Sequence, residues 1–283
     1  MPRRHRPGPM FWVFWLLGAT LLAFVGLPLL ALVLHPTLAD LVQVAGLPDV
    51  RQAIALSLAA AALSTALVAL FAVPLAYLLA RQAFFGKAAV EVLVDLPLTI
   101  PHTIAGIALL LVFSRGGWLG APLARLGLEF WGHFAGIVLA MAYVGLPYAV
   151  NAARGGFEAV DAPIERAARI QGAPAWSVFR RITLPLARRG IVTGLTLCFA
   201  RAIGEFAAVV LLAYYPMTAP VRIYDLFLQA GLRQSVAASV LFLGALLALF
   251  AVLRLLARLG RRTARAAGPG LAQSAEPGIP WSR

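Results

Sequence analysis

Two full charges of opposite sign, Arg201 and Glu205, stand four residues apart in FARAIGEFAAVVLLA (199–213), a run otherwise apolar enough for lipid. On a helix that spacing puts them one turn apart, within reach of each other. A charge at mid-bilayer costs roughly 2.5–3.5 kcal/mol on insertion scales, so neither is expected to face lipid. Two roles fit. The pair either neutralises itself and only stabilises packing, or it forms a pore or gate element in which Arg201 meets a passing anion or the partners exchange. A permeant ion must leave as well as bind, so no tight anion site is expected. A second candidate cluster holds Asp95, Pro97, Pro101 and His102. Prolines four apart interrupt the helical hydrogen-bond ladder and give either a hinge or a static kink filled by a neighbouring helix. His102 has no second histidine or cysteine at ligand spacing, so no metal site is expected.

A third group lies in DAPIERAARIQGAPAWSVFRRITLPLARR (161–189), too polar to cross lipid and too patterned for a linker. Asp161 is placed to cap a helix with Pro163 in its first turn, and Glu165 suits the positive end of that helix. The helix runs through Ala167, Ala168 and Arg169 to Gly172, a left-handed stop followed by Ala173. Pro174 opens a second short helix with Trp176, Phe179 and Ile182 on one side, and Pro185 is expected to end it. Ala167, Ala168 and Gly172 permit close backbone approach to a partner; the plainer alternative is an amphipathic helix lying on lipid.

Composition fixes what must position these residues. Hydrophobic residues make up 61% and charged residues 12%, with a mean hydropathy of +0.87, which leaves about half the usual charge of a soluble domain. Apolar runs above twenty residues indicate an all-α integral membrane protein, because a membrane barrel would show alternating segments of about ten. Six spans are expected at 11–34, 53–79, 89–113, 134–152, 190–213 and 236–257. Eighteen of the 24 Lys and Arg residues then fall on one side, in 1–10, 80–88, 153–189 and the C-terminal end. By the positive-inside rule both termini are cytoplasmic. The net charge of +13 is thereby a topology signal and not a nucleic-acid footprint. The first span follows a basic start but is too long for a cleaved signal, so it is expected to remain as an anchor. Residues 264–283, rich in Gly, Pro, Ser and Ala, are expected to form a disordered cytoplasmic tail. The single cysteine, Cys198, excludes a disulfide framework and reads as helix packing.

The spacing Ala167-Ala168, Gly172, Ile182-Thr183-Leu184-Pro185 resembles the cytoplasmic coupling loop of binding-protein-dependent (type I) ABC importer permeases. That family's pattern is Glu-Ala-Ala, three residues, Gly, then Ile-x-Leu-Pro. Here Arg166 precedes Ala167 and Glu165 lies one step earlier. The resemblance runs from about Ala53 to Leu256. VDLPLTIPHTIAGIALL (94–110), RAIGEFAAVV (201–210) and AYYPMTAPVRIYDLF (213–227) make it most similar to molybdate/tungstate permeases, although sulfate permeases share the Gly-Glu-Phe feature.

The resemblance implies a homodimeric, multi-pass permease of the inner membrane, surrounded by lipid. The loop at 153–189 would seat in a cytoplasmic ATP-binding subunit, and an external solute-binding protein would deliver the anion. ATP and magnesium would belong to the ATPase and no cofactor to this chain. In keeping, no Gly-x-x-x-x-Gly-Lys-Ser/Thr occurs, and the only lysine, Lys87, precedes alanine. Tyr214-Tyr215-Pro216 and Gly116-Gly117-Trp118 would lie in outer loops. The competing expectations are a sulfate or thiosulfate permease, an ion-coupled secondary transporter, and a non-transporting assembly factor.

Overall fold

The computed structural model describes residues 8–266, and every described element is helical. The chain divides into two compact units. One comprises residues 43–235 and holds both candidate sites; the other comprises residues up to 42 and from 236 onward. In the latter, α1 (Pro9–Leu34) is apolar on all sides, and Asp40 of α2 (Leu38–Gly46) accepts hydrogen bonds from the Thr37 N–H and hydroxyl. Most of α13 (Leu232–Ala266) also belongs there. Residues 264–266, expected to begin a tail, complete this helix, and the remainder of the expected tail lies outside the described residues.

In the central unit, α3 (Pro48–Arg81) starts with Pro48 and Asp49 in its first turn and ends on Arg81, in accord with the helix dipole. Its buried positions, Val50, Ala53, Ser57, Ala60, Ser64, Val68, Ala72, Ala76 and Leu79, recur every three or four residues. This stripe of mostly small side chains packs along α7 (Phe134–Glu158). Between them in sequence, the expected span 89–113 is two helices, α4 (Lys87–Thr99) and α5 (His102–Phe113), bent by 116°. The cause is local. Pro97 sits buried within α4 without ending it, whereas Pro101 is extended (φ −55°, ψ 135°) and forces the turn. Beyond α5, the short α6 (Gly120–Arg125) occupies a connection in which Arg115 donates to Glu129 at 2.8 Å, and that guanidinium holds the Glu129 carboxyl below its ordinary value.

After α7 come α8 (Ala162–Ile170), α9 (Ala175–Val178), a π-turn (Phe179–Thr183) and α10 (Leu184–Ile203). Pro185 was expected to stop a helix, yet 175–203 is one continuous helical rod. The wide turn explains this: the Leu184 N–H reaches back to the Phe179 carbonyl, and the looser winding accommodates a following residue that has no N–H to donate. Then follow α11 (Ala207–Leu212) and α12 (Ala219–Ala230), the latter falling where a loop was expected. Among the described residues, five helices are long and apolar enough to cross a membrane, and the α4–α5 pair makes a sixth if it forms one span.

The tightest contact is α7 on α10. A Cβ at Gly190 would stand 2.5 Å from the Gly156 Cα, and one at Gly145 would stand 2.6 Å from the Cys198 sulfur. Small residues let the two backbones meet where lipid offers no hydrophobic drive to association. Gly190→Val should therefore lower the thermal stability of the purified protein by about 1–3 kcal/mol through overpacking. Gly155→Ala, with nothing within 4 Å of the added carbon, should not lower the thermal midpoint, since alanine favours a helix interior over glycine.

Candidate functional site

Arg201 occupies the last turn of α10, and Glu205 lies in the break that follows, Gly204–Phe206. The two are not on one helix, as the spacing had suggested, yet they pair: Arg201 Nη2 is 2.8 Å from Glu205 Oε2. The break survives because the carboxylate does the work of missing backbone. Glu205 Oε1 accepts the Ala208 N–H at 2.9 Å, satisfying an orphan donor at the start of α11. The third partner is His102, whose Nδ1 lies 3.0 Å from Glu205 Oε2. Arg201 Nη2 also contacts the His102 ring nitrogens, with Nε2 at 3.0 Å. Glu205 is 1% exposed, while Arg201 and His102 keep about a quarter of their side-chain surface open.

His102 is the first residue of α5, directly after Pro101, so one buried carboxylate joins the two helix breaks. Gly106, one turn on, lets α5 close against α11; a Cβ there would stand 2.9 Å from the Ala208 Cα. Sequence spacing identified His102 only as a poor metal ligand. Its position beside a helix-breaking proline was the available signal. Asp95 joins a different partner, accepting from Asn151 of α7 at 2.6 Å. Of the proline cluster, then, the Pro101–His102 step reaches the ion cluster, and Asp95 is tied elsewhere.

The loop at 161–189 carries a second ion cluster. Asp161 stands at the N-cap of α8, but its side chain makes no capping bond; its carbonyl receives the Ile164 N–H. Glu165 is 2% exposed and faces inward. Its Oε1 accepts from Arg81 Nε at 3.2 Å, Arg81 Nη2 at 3.0 Å and the Thr183 hydroxyl at 2.8 Å, while Arg169 approaches Oε2 at 3.4 Å. Arg81 also donates to the Val160 carbonyl at 2.8 Å. On the other side of α8, Arg166, Ala167 and Ile170 are exposed, and Ala168 and Ala173 are half-buried. Gly172 adopts φ +86°, and the Ala173 N–H closes the helix on the Ala168 carbonyl at 3.1 Å. A Cβ at Gly172 would meet nothing within 4 Å, so the left-handed backbone, not crowding within this chain, calls for glycine. Phe179 anchors the loop by packing on Tyr77 (4.9 Å between centroids), and Trp176 stacks on Phe179 at 5.5 Å. Pro185 follows this anchor inside the rod.

A third polar group joins α3 and α12. Arg222 bridges Asp49 and Asp225, and Asp225 Oδ1 accepts from the Tyr214 hydroxyl at 3.0 Å and from Gln229 at 2.8 Å. A cavity of about 500 Å³ opens beside it, lined in part by Asp49, Gln52, Tyr215, Met217 and Arg222. Among the described residues, no three His, Cys, Asp or Glu side chains gather into a metal-ligating group.

Long apolar helices, two helix breaks joined by a buried ion cluster, and a short polar helix pinned to α3 are the frame of a multi-pass membrane protein. The model of the binding-protein-dependent transport system inner membrane component family matches residues 72–265, and the chain belongs to that family. It is thus a permease subunit and not a catalytic enzyme. A molybdate/tungstate transport system permease of Thermococcus kodakarensis is 39% identical over 255 residues, covering 89% of this chain and 97% of the relative. A probable molybdenum ABC transporter permease of Haloferax volcanii is 41% identical, covering 81% of this chain and 84% of that one. Relatives named for sulfate transport share less; one from Anthoceros angustus is 35% identical over 61% of this chain and 60% of its own. Among solved structures, a bacterial ABC transporter for alginate import contains a chain of the same fold, with a TM-score of 0.67 and 21% identity over 90% of this chain and 96% of that one.

Glu205→Leu removes the acceptor shared by Arg201, His102 and Ala208. The purified variant should lose on the order of 2–4 kcal/mol of stability, seen as a lower thermal midpoint in detergent, because two polar partners remain without their counter-charge. Glu205→Gln, which keeps an acceptor oxygen, should lose less.

Proposed function

We propose that this chain is the membrane subunit of an ATP-driven importer for molybdate or tungstate, working by alternating access. The observation that carries the cargo is the Thermococcus kodakarensis relative, named for molybdate and tungstate, of which the chain covers 97%. Sulfate is the weaker reading because its namesakes match shorter stretches at lower identity.

In this reading the α4–α5 pair is one broken span, giving six, with both termini on the cytoplasmic side. The excess of Lys and Arg in 153–189 and at the two ends supports that orientation. The exposed face of α8, with Arg166, Ala167 and Ile170, then sits in a groove of a cytoplasmic ATPase subunit that holds ATP and magnesium. A solute-binding protein delivers the anion from outside; the solved relative in complex with an alginate-bound periplasmic protein supports such a partner. Two copies of the chain form the pathway in the inner membrane. This chain itself supplies no cofactor and forms no covalent bond to cargo.

The work of the chain is mechanical and electrostatic. Pro101 and the Gly204–Phe206 break are the points where spans can change direction, and Glu205 ties them together. When Arg201 leaves Glu205, its guanidinium can meet a passing dianion, while the Ala208 N–H and His102 still hold the carboxylate. Asp95, Pro97 and Asn151 shape the adjoining stretch of α4 and α7.

Proteoliposomes holding this chain with its co-purified ATPase and binding protein should accumulate molybdate only with ATP, and unlabelled tungstate should compete while sulfate does not. Uptake without an ATPase would sink the reading in favour of a secondary transporter. Gly172→Val forces a branched residue into left-handed backbone at the exposed turn, so molybdate uptake should fall about tenfold or more while membrane insertion persists. Arg201→Gln should assemble yet transport more slowly. Wild-type rates in that variant would leave the charge pair with a packing role only.

A further inference from the structure

We propose that Glu165 pins the coupling helix to the end of α3, so that motion of α8 is delivered to two spans, α3 and α10, and not to α10 alone. This rests on the reading of α8 as the segment that an ATPase moves. Through the chain, α8 reaches the α9–α10 rod only by Gln171–Pro174, a single strand with a left-handed glycine in it. Such a connection transmits position poorly by itself. The Glu165 carboxylate supplies the stiff link. It is buried, and it takes both the Nε and Nη2 of Arg81, the last residue of α3, 84 residues away in sequence.

The same oxygen accepts the hydroxyl of Thr183, which is fully buried in the π-turn at the root of α10. One carboxylate therefore joins three elements at one point. Arg81 adds the Val160 carbonyl at the approach to α8, so the pin holds the entering chain as well as the first turn of the helix. A buried carboxylate stripped of its guanidinium is strongly disfavoured. Displacements of α8 are therefore followed by Arg81 and Thr183 instead of tearing the group apart. The small-residue stripe of α3 then passes the movement along α7. Arg166, adjacent in sequence, is exposed and left for the partner. Glu165 and Arg166 lie about 100° apart around the helix, the first turned inward and the second exposed.

The test uses the complete transporter with its ATPase in proteoliposomes and molybdate as cargo. Glu165→Gln keeps the shape and removes the charge. Molybdate moved per ATP hydrolysed, normalised to assembled complex, should fall about tenfold, within the ordinary range of site-to-site coupling. A purely structural role would reduce the amount of complex and leave that ratio alone. A ratio equal to wild type overturns the pin.

A second measurement is independent of cargo and of any fault in folding of the variant. Spin labels are placed at Ile164→Cys, an exposed α8 position outside the face assigned to the ATPase, and at the exposed Gln82→Cys, with Glu165 intact. Their separation should stay constant when ATP binds and should broaden once Glu165→Gln is added. A separation that changes with ATP while Glu165 is intact overturns the pin. If the wild-type complex moves neither molybdate nor tungstate, the cargo assignment fails, and the label distances still decide the pin.

Discussion

The Glu205 carboxylate is the constraint on which the rest of the membrane architecture depends. Two helices are interrupted within apolar surroundings, at Pro101 and at Gly204–Phe206. Each interruption leaves backbone groups that lipid cannot satisfy. Glu205 answers one of these directly, by accepting the Ala208 N–H, and holds the other break beside it through His102. A bare carboxylate there would be unaffordable, and Arg201 one turn back neutralises it. A sequence that reads as a violation of membrane rules is therefore the means by which a non-helical turn exists at all.

The loop end of the same rod repeats the design. Glu165, like Glu205, is buried and paired with an arginine four residues away, Arg169 in one case and Arg201 in the other. Each also binds one side chain from a distant element, Arg81 or His102. Thr183 and Arg201 belong to one continuous helix and are separated by eighteen residues, about 27 Å along its axis. The glycine contacts of α10 with α7 lie between the two clusters. Close-packed backbones leave little room for bending in the segment between the clusters.

The sequence carried much of this because its strongest signals are physical ones. Apolar length marked the long helices, and the alternation of proline and glycine in 161–189 placed α8 and its left-handed stop at Gly172. It erred where tertiary contacts decide. The run 199–213, apolar apart from Arg201 and Glu205, reads as a single span and does not announce that a helix ends at Ile203, because the compensation comes from the Glu205 side chain and from α5. Pro185 looked like a stop because single-residue rules do not foresee a π-turn upstream. Arg81 counted only as a topology charge, since its partner lies 84 residues away. Asp49 was invisible as a partner of Arg222 for the same reason, although Arg222 and Asp225 stand three residues apart.

The two clusters differ in one respect that bears on how the molecule moves. All three close donors of Glu165 converge on a single oxygen, and the more exposed Arg169 is left to the other at a longer distance. Losing Arg81 would break three hydrogen bonds at once, two to that oxygen and one to the Val160 carbonyl, and leave Glu165 with the Thr183 hydroxyl and the more distant Arg169. Glu205 is arranged the other way: one oxygen is held by backbone, and the second is shared by Arg201 and His102, both partly open to their surroundings. Withdrawal of Arg201 leaves the carboxylate with two partners still in place. The cost of letting go is smaller for Arg201, which reaches Glu205 through Nη2 alone and is the more exposed of the two guanidiniums, 25% against 14%. In the reading proposed above, the arginine that exchanges partners during a cycle is therefore Arg201, and the one that holds is Arg81.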